Sequence, residues 1–245
     1  MASAKDQEKC GLIVLQGLAI KFPPTWFTEN VMAKSQYFGI GTRKDCIIKY
    51  PTAPSNATLI FPPTFLGLLG DSINPVRSWF NFWMLPGASV VSPVAAESKS
   101  DLEASLKIVE ANIEELINEG VPPQNIVIMG FSQGAALAIY TAIHSKHKIG
   151  GFLPIVGWLP LRKVERITEL PTPVNKDTPI FQLNGMLDEV VHYWPSTKKT
   201  AKDLRKVFTK HELHTSKLGH AFTFNPSTLP AVRKWIREKT NIGPV

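Results

Sequence analysis

The sequence predicts an α/β fold: a mostly parallel central sheet with helices on both faces. Three observations point there. Short apolar runs of strand length alternate with longer stretches of helical period, the pattern of strand–helix units wound around a parallel sheet. The stretch Gly130-Phe131-Ser132-Gln133-Gly134 stands where one such run gives way to a helical one, as expected of a tight strand-to-helix turn. A chain of 245 residues, 44% of them hydrophobic, can also bury a full core as one domain spanning 1–245.

Taken in order, residues 12–16 read as a short buried strand. Residues 24–34 read as a helix with Pro24 in the first turn, where proline is tolerated. Residues 45–50 read as a second strand. Ser100-Asp101-Leu102-Glu103 has the form of a capping box. It opens a helix whose apolar stripe is Leu102, Leu106, Val109, Ile113, Leu116 and Ile117, and Gly120-Val121-Pro122-Pro123 closes it. A strand over 126–129 leads through the Gly-x-Ser-x-Gly turn into a helix reaching about 147. Strands follow at 151–156 and 180–183. A helix over 195–208 turns Ala201, Leu204, Val207 and Phe208 inward and leaves Asp203 on a solvated face. Residues 212–215 make the last strand and 228–239 the last helix. No internal repeat or low-complexity linker interrupts the order.

Residues 56–94 break the rhythm. They carry Phe61, Phe65, Leu66, Leu68, Trp79, Phe80, Phe82 and Trp83, while Pro62, Pro63, Gly67, Gly70, Pro75 and Pro86 prevent a long helix. This aromatic-rich insertion reads as an apolar cover or wall near a site. Ordinary core packing under a loop is the plainer alternative.

Charge and cysteine content narrow the function classes. The balance of 27 Lys+Arg against 20 Asp+Glu gives a net charge of +7. No basic stripe interleaved with aromatics suggests a nucleic-acid platform. Lys198, Lys202 and Arg205 share one predicted helix face and leave a transient membrane-surface contact open beside a simply solvated face. Cys10 and Cys46 do not make a disulfide framework, which fits a reducing, cytoplasmic setting. The apolar run 10–20 follows Lys5 and Lys9 like a signal peptide. However, Lys21-Phe22-Pro23-Pro24 follows it where a small-residue cleavage site would stand, so a first core strand is the expectation.

The chemistry centres on Ser132. A serine at the tip of a strand–turn–helix junction is a nucleophile elbow, and the helix start directs free N–H groups toward any anion formed beside it. The hydroxyl needs a base, and the base an acid, in the chain order Ser, Asp or Glu, His. Asp188 lies just past the strand at 180–183, on the carboxyl edge where ligands sit in such sheets. Asp177 precedes that strand, and Glu189 is the close competitor. His220 lies in the last strand-to-helix loop, again at the carboxyl edge, unlike His211 and His214 in or beside the strand or His144 and His147 at a helix end. No metal or organic cofactor is expected.

The same motifs resemble the acyl-protein thioesterase branch of the α/β-hydrolases, related to small carboxylesterases and lysophospholipases. Gly130 to Gly134 is similar to its elbow, Trp158-Leu159-Pro160-Leu161 to the segment after the next strand, Gly185-Met186-Leu187-Asp188 to its acid motif, and Gly219-His220 to its histidine motif. Pro51-Thr52-Ala53-Pro54 and Ser78-Trp79-Phe80 also fit. The resemblance implies an α/β-hydrolase fold and cleavage of carboxylic esters or thioesters, with a fatty-acyl group on a small molecule, protein or lipid. It implies Ser132, Asp188 and His220 as catalytic residues and main-chain oxyanion donors at Leu18 and Gln133. With the apolar composition, it points to an acyl pocket at Phe65, Leu68, Trp79, Phe80, Trp158 and Val190. The chain departs from the family after the first strand. Gln16-Gly17-Leu18-Ala19-Ile20 stands where the family usually has His-Gly-Leu-Gly-Asp, so the side chains that usually brace that loop are absent. The aromatic insertion is also longer than in the family. Together these keep two alternatives open: a hydrolase of a bulkier metabolic ester, or a weakly active or inactive binding protein on this fold. Oligomeric state is not legible.

Overall fold

The computed structural model describes residues 8–17, 46–54, 77–83, 96–220 and 226–243. The predicted helix at 24–34 and most of the aromatic insertion lie outside these residues. The described strands are β1 (Cys10–Leu15), β2 (Cys46–Lys49), β3 (Phe82–Trp83), β4 (Ala96–Glu97), β5 (Ile126–Phe131), β6 (Gly151–Ile155), β7 (Ile180–Gly185) and β8 (His211–Ser216). The helices are α1 (Lys99–Asn118), α2 (Gln133–His144), α3 (Lys198–Leu204) and α4 (Leu229–Lys239).

Six strands form one sheet in the order β2-β1-β5-β6-β7-β8, and every neighbouring pair in it is parallel. β3 and β4 form a separate antiparallel pair. The chain leaves β1 for the edge at β2 and returns to the other side of β1 as β5. That reversal makes a topological switch point at the carboxyl ends of β1 and β5, the position where open α/β sheets bind ligands.

Burial on both faces explains why the central strands are apolar without alternation. Ile13, Leu15, Ile128 and Phe152 pack with Leu102, Val109 and Ile113 of α1, Leu137 of α2 and Leu204 of α3. On the other face Leu12, Val14, Met129, Leu153 and Leu183 pack with Val232, Trp235 and Ile236 of α4. Each such side chain gains about 1.5–3 kcal/mol on leaving water. The sheet is therefore held from both sides while its carboxyl edge stays available for chemistry.

Several boundaries differ from expectation. α1 is capped by Ser98, whose hydroxyl accepts from the Asp101 N–H at 3.3 Å, rather than by Ser100. The Ser-x-x-acid spacing fits both serines. Ser98 wins because its own N–H is held by the Asn81 carbonyl at 2.8 Å. Leu106 and Ile117 are only partly buried, while Ser105 joins the buried stripe. The helix ends as Gly120, at φ 87°, donates to Ile117 and Val121 donates to Leu116, a Schellman arrangement. α2 stops at His144, three residues early, because Glu110 of α1 takes the N–H of Lys146 at 3.0 Å.

The predicted helix at 195–208 is divided. Tyr193–Thr197 forms a π-helical turn, and α3 covers only Lys198–Leu204. Asp203 is buried rather than solvated: Arg162 and Lys206 both reach its carboxylate at 2.6 Å. Burial alone would push this carboxyl up, but the bonds from Lys206 and Arg162 outweigh it and hold the group below the usual carboxylate range. Lys198, Lys202 and Arg205 are exposed, and the Lys198 ammonium sits 4.0 Å from the ring centre of exposed Trp194. Among the described residues no helix is long and apolar enough to cross a membrane.

A buried polar chain runs along β7. His211 Nε2 meets Gln182 Oε1 at 3.0 Å, and Gln182 Nε2 donates to Asn184 Oδ1 at 3.1 Å. Burial, with a smaller push from Arg205, lowers His211 from 6.5 to about 4. In the unfolded chain this histidine takes up its proton near pH 6.5, so the unfolded state binds more protons between pH 6.5 and 4. Stability is therefore full above pH 6.5 and falls as the pH drops toward 4, by at most about 3 kcal/mol from this group. Replacing His211 with Gln should flatten that part of the urea-unfolding profile. An identical slope in wild type and variant would remove His211 as the cause.

Candidate active site

The site begins with how closely α2 is set against the sheet. Ser132 follows β5 with φ 54° and ψ −116°, a strained conformation for a residue with a side chain. Its N–H is held by the Ile155 carbonyl at 2.9 Å, and its carbonyl accepts from Ala135 and Ala136 to start α2. A Cβ on Gly134 would lie 2.3 Å from the Leu15 carbonyl oxygen and 2.4 Å from that of Gln16. Only glycine lets the first turn of α2 rest directly on the end of β1, and this projects Ser132 from the carboxyl edge.

Two loops bring the other functional groups to the same edge. After β7, Met186 donates to Ser216 and Leu187 to Leu218, pinning the acid loop to the segment that carries His220. His220 Nε2 lies 3.0 Å from Ser132 Oγ. Its Nδ1 lies 3.0 and 2.9 Å from the two carboxylate oxygens of Asp188. Asp188 is 5% exposed, and its Oδ1 also accepts from the main-chain N–H groups of Val190 and Val191 at 2.9 and 2.7 Å. The Asp188 carboxylate accepts from Nδ1–H of the imidazole. That tautomer, assigned from the bonding pattern, leaves the Nε2 lone pair facing the serine hydroxyl. Phe131 covers the ring, with centroids 5.3 Å apart. A hydroxyl, an imidazole and a buried carboxylate in one chain can generate a nucleophile and hold the proton it releases.

Glu189, one residue away from Asp188, has a different task. Its carboxylate accepts from the His220 main-chain N–H at 3.1 Å, and its carbonyl meets His192 Nε2 at 3.0 Å. It fixes the loop that carries the imidazole and does not touch the ring nitrogens.

Gln133, the first residue of α2, carries a main-chain N–H of the kind that helix starts leave for an anion. Its side chain is a structural element as well. Oε1 accepts from the Trp79 N–H at 2.9 Å, and Nε2 donates to Ser78 Oγ at 2.9 Å and the Phe80 carbonyl at 2.8 Å. The described part of the insertion is thus tied to the residue beside Ser132. From its other side, Asp101 of α1 accepts from both the main-chain and side-chain N–H groups of Asn81 at 2.9 Å. No local sequence signal announces these clamps, since each joins segments far apart in the chain.

Trp79 and Phe80 are each 1% exposed, Trp158 7% and Val190 9%, and all four belong to the core cluster that includes Leu15. The Trp79 indole donates to the Gln16 carbonyl at 2.9 Å. This supplies a brace at the end of β1, where the family's usual side chains are missing. The side-chain amide of Gln16 is buried and has no hydrogen-bond partner among the described residues. Leu18, Phe65 and Leu68 lie outside the described residues. Among those described, no three His, Cys, Asp or Glu side chains are grouped to hold a metal ion.

Comparison with known proteins places the chain in a family. The model of the phospholipase/carboxylesterase family matches residues 46–239. The chain belongs to that family. It is 34% identical over 136 residues to acyl-protein thioesterase 1 of Kluyveromyces lactis, covering 55% of this chain and 54% of that protein. It is 40% identical over 100 residues to acyl-protein thioesterase 1 homolog 2 of Dictyostelium discoideum, covering 41% and 44%. The chain thus spans about half the length of these curated relatives. The crystal structure of a single-residue variant of Arabidopsis thaliana SOBER1 matches with a TM-score of 0.71 and 25% identity, covering 94% of this chain and 99% of that one. Zea mays acyl-protein thioesterase 2 shares the fold at a TM-score of 0.65 and 22% identity, covering 96% and 95%. The α/β-hydrolase expectation from the sequence agrees with the all-parallel six-stranded sheet and with these neighbours.

Proposed function

We propose that this phospholipase/carboxylesterase-family chain is a serine hydrolase cleaving fatty-acyl esters or thioesters through an acyl-Ser132 intermediate. The observation that carries the reading is His220, bonded through one ring nitrogen to Ser132 Oγ and through the other to Asp188. Ser132 Oγ attacks the acyl carbonyl as its proton passes to His220 Nε2. Asp188 keeps the ring in the accepting tautomer and offsets the positive charge that develops on it. The main-chain N–H of Gln133 donates to the oxyanion, with the Leu18 N–H as the second donor implied by the family resemblance. Collapse of the tetrahedral species breaks the bond to the leaving oxygen or sulfur, which takes the proton from His220. Water then attacks the acyl-enzyme, gives its proton to His220 and releases the carboxylic acid. Trp158 and Val190, in the segments after β6 and β7, offer apolar surface at the carboxyl edge for the acyl chain, and each buried CH₂ of a chain gains about 0.8 kcal/mol. The acyl-protein thioesterase names of the relatives support an acylated protein or lipid as the substrate.

A fluorophosphonate probe should add covalently to Ser132, read by peptide mass spectrometry. The kcat/KM for p-nitrophenyl esters should rise from C4 toward C16. Absence of the adduct would overturn the serine mechanism. Adduct formation with a flat or falling chain-length profile would leave the mechanism standing and remove the fatty-acyl assignment.

A further inference from the structure

Glu97 is a carboxylate that the proposed mechanism does not use, yet it is placed as if it mattered. It belongs to the two-residue strand β4, immediately before the cap of α1. One carboxylate oxygen accepts from the Trp158 indole N–H and the other from the Leu161 main-chain N–H, each at 2.5 Å. Burial pushes this carboxyl above the usual carboxylate range, against the bonds from Trp158 and Leu161 and the nearby charge of Lys163. A carboxyl set in such surroundings is costly unless it is hydrogen-bonded, and both of its oxygens are.

What it holds is the segment after β6. The backbone of this segment is fixed at two other points. A Cβ on Gly157 would lie 2.5 Å from Cβ of Ala135, so the segment rests on the first turn of α2. The Leu159 N–H also donates to Thr200 Oγ1 at 2.9 Å. Neither contact touches the Trp158 ring or Leu161, which has φ 55° in the left-handed region disfavoured for leucine. Glu97 secures both. The ring so oriented meets Phe80 edge-on, with centroids 6.1 Å apart and planes at 69°. The Phe80 carbonyl in turn accepts from the Gln133 side chain. A continuous path therefore runs from Glu97 through two aromatic rings to the residue beside Ser132.

We propose that Glu97 is a specificity-determining positioning residue: by accepting from Trp158 and Leu161 together, it sets the plane of the Trp158 ring in the apolar wall against which the acyl chain packs. The proposal rests on the fatty-acyl ester reading given above. A small ester reacts at Ser132 without reaching far along this wall, whereas a long chain uses it over many carbons. Loss of Glu97 is therefore felt according to chain length. Glutamine at this position keeps the shape but offers one acceptor oxygen for two donors.

The test compares E97A, E97Q, W158F and the double variant E97A/W158F on p-nitrophenyl C4 and C16 esters. The ratio of kcat/KM for C16 over C4 should fall roughly tenfold in E97A, chiefly through KM, the size of losing about two well-buried methylenes. E97Q should be intermediate. W158F keeps an aromatic ring but cannot donate. The double variant should fall well short of the product of the single effects, because both changes break one interaction. Equal losses for C4 and C16, an unchanged ratio, or full multiplication of the single effects would each overturn the role. Should E97A fail to fold, E97Q and W158F with their own double variant carry the same comparison. Absence of fluorophosphonate labelling in the wild type would defeat the hydrolase reading itself. Normal labelling with an unaltered ratio in the variants would defeat only the assignment to Glu97.

Discussion

Ser132→Ala should lower kcat on acyl esters by a factor on the order of 10⁴–10⁶, while the protein stays folded and its thermal midpoint moves little. The change deletes the one hydroxyl that meets His220 Nε2, at 3.0 Å, so the imidazole has no proton to take and the acyl group no oxygen to join. Where nucleophile, base and acid act as a unit, losing the nucleophile costs nearly as much as losing all three, and the residual rate comes from binding and oxyanion stabilisation. Stability is a separate matter. Ser132 makes no side-chain capping bond to α2, and its main-chain bonds to Ile155, Ala135 and Ala136 survive the substitution. Alanine also adopts φ 54° no less readily than serine. Steady-state kinetics with circular dichroism on the same preparation makes the measurement. Turnover above about 1% of wild type in a folded variant would rule out acyl transfer through this residue.

Legibility in the sequence followed how local each determinant was. The junction from β5 to α2 could be read because its requirement is local: glycines at 130 and 134, a serine between them, and apolar runs on either side. Asp188 and His220 could be named because each follows a strand, and a parallel sheet collects such loops at one edge. Glu189 is the close competitor of Asp188 in the sequence. The two are adjacent in the chain, and only the fold shows one carboxylate at the ring nitrogen and the other at the main chain of His220.

The misread elements were those decided by distant partners. Asp203 looks solvated from helical period alone, and it is buried because Arg162, 41 residues earlier, comes back to meet it. The cap of α1 shifted by two residues because Asn81 fixes Ser98 from outside the helix. The side-chain bonds of Gln133 and Glu97 are hidden for the same reason. They link the elbow to Ser78, Trp79 and Phe80, and β4 to Trp158, between residues such as Trp79 and Gln133 that stand 54 positions apart and Glu97 and Trp158 that stand 61 apart. Local pattern located the candidate reacting groups, and tertiary closure decided what surrounds them.

Gly134→Ala should destabilise the fold by about 3 kcal/mol or more, even though alanine is the better helix former by about 1 kcal/mol. Gly134 lies within α2 and is not among the residues of positive φ, so its necessity is one of space rather than backbone freedom. The added carbon would sit 2.3 Å from the Leu15 oxygen, 2.4 Å from the Gln16 oxygen and 2.6 Å from the Leu15 carbonyl carbon. All three are main-chain atoms with no rotamer to change, at the end of a strand wedged between β2 and β5. Relief requires α2 to lift or the end of β1 to sink, and the second course disturbs the pairing of Leu15 with Gly130. Either movement also shifts Ser132 against His220, so the labelling rate of Ser132 should fall even at temperatures where the variant is folded. In a chain of this size the stability loss corresponds to a drop in midpoint of roughly 6–12 °C. Gly120→Ala provides the contrast. There φ is 87°, but the nearest atom to an added Cβ is 3.8 Å away, so only the left-handed backbone penalty of about 1 kcal/mol applies. If the two variants unfold at the same urea concentration, the contact between α2 and β1 is looser than the structure shows, and the close seating of the elbow cannot be what aims Ser132.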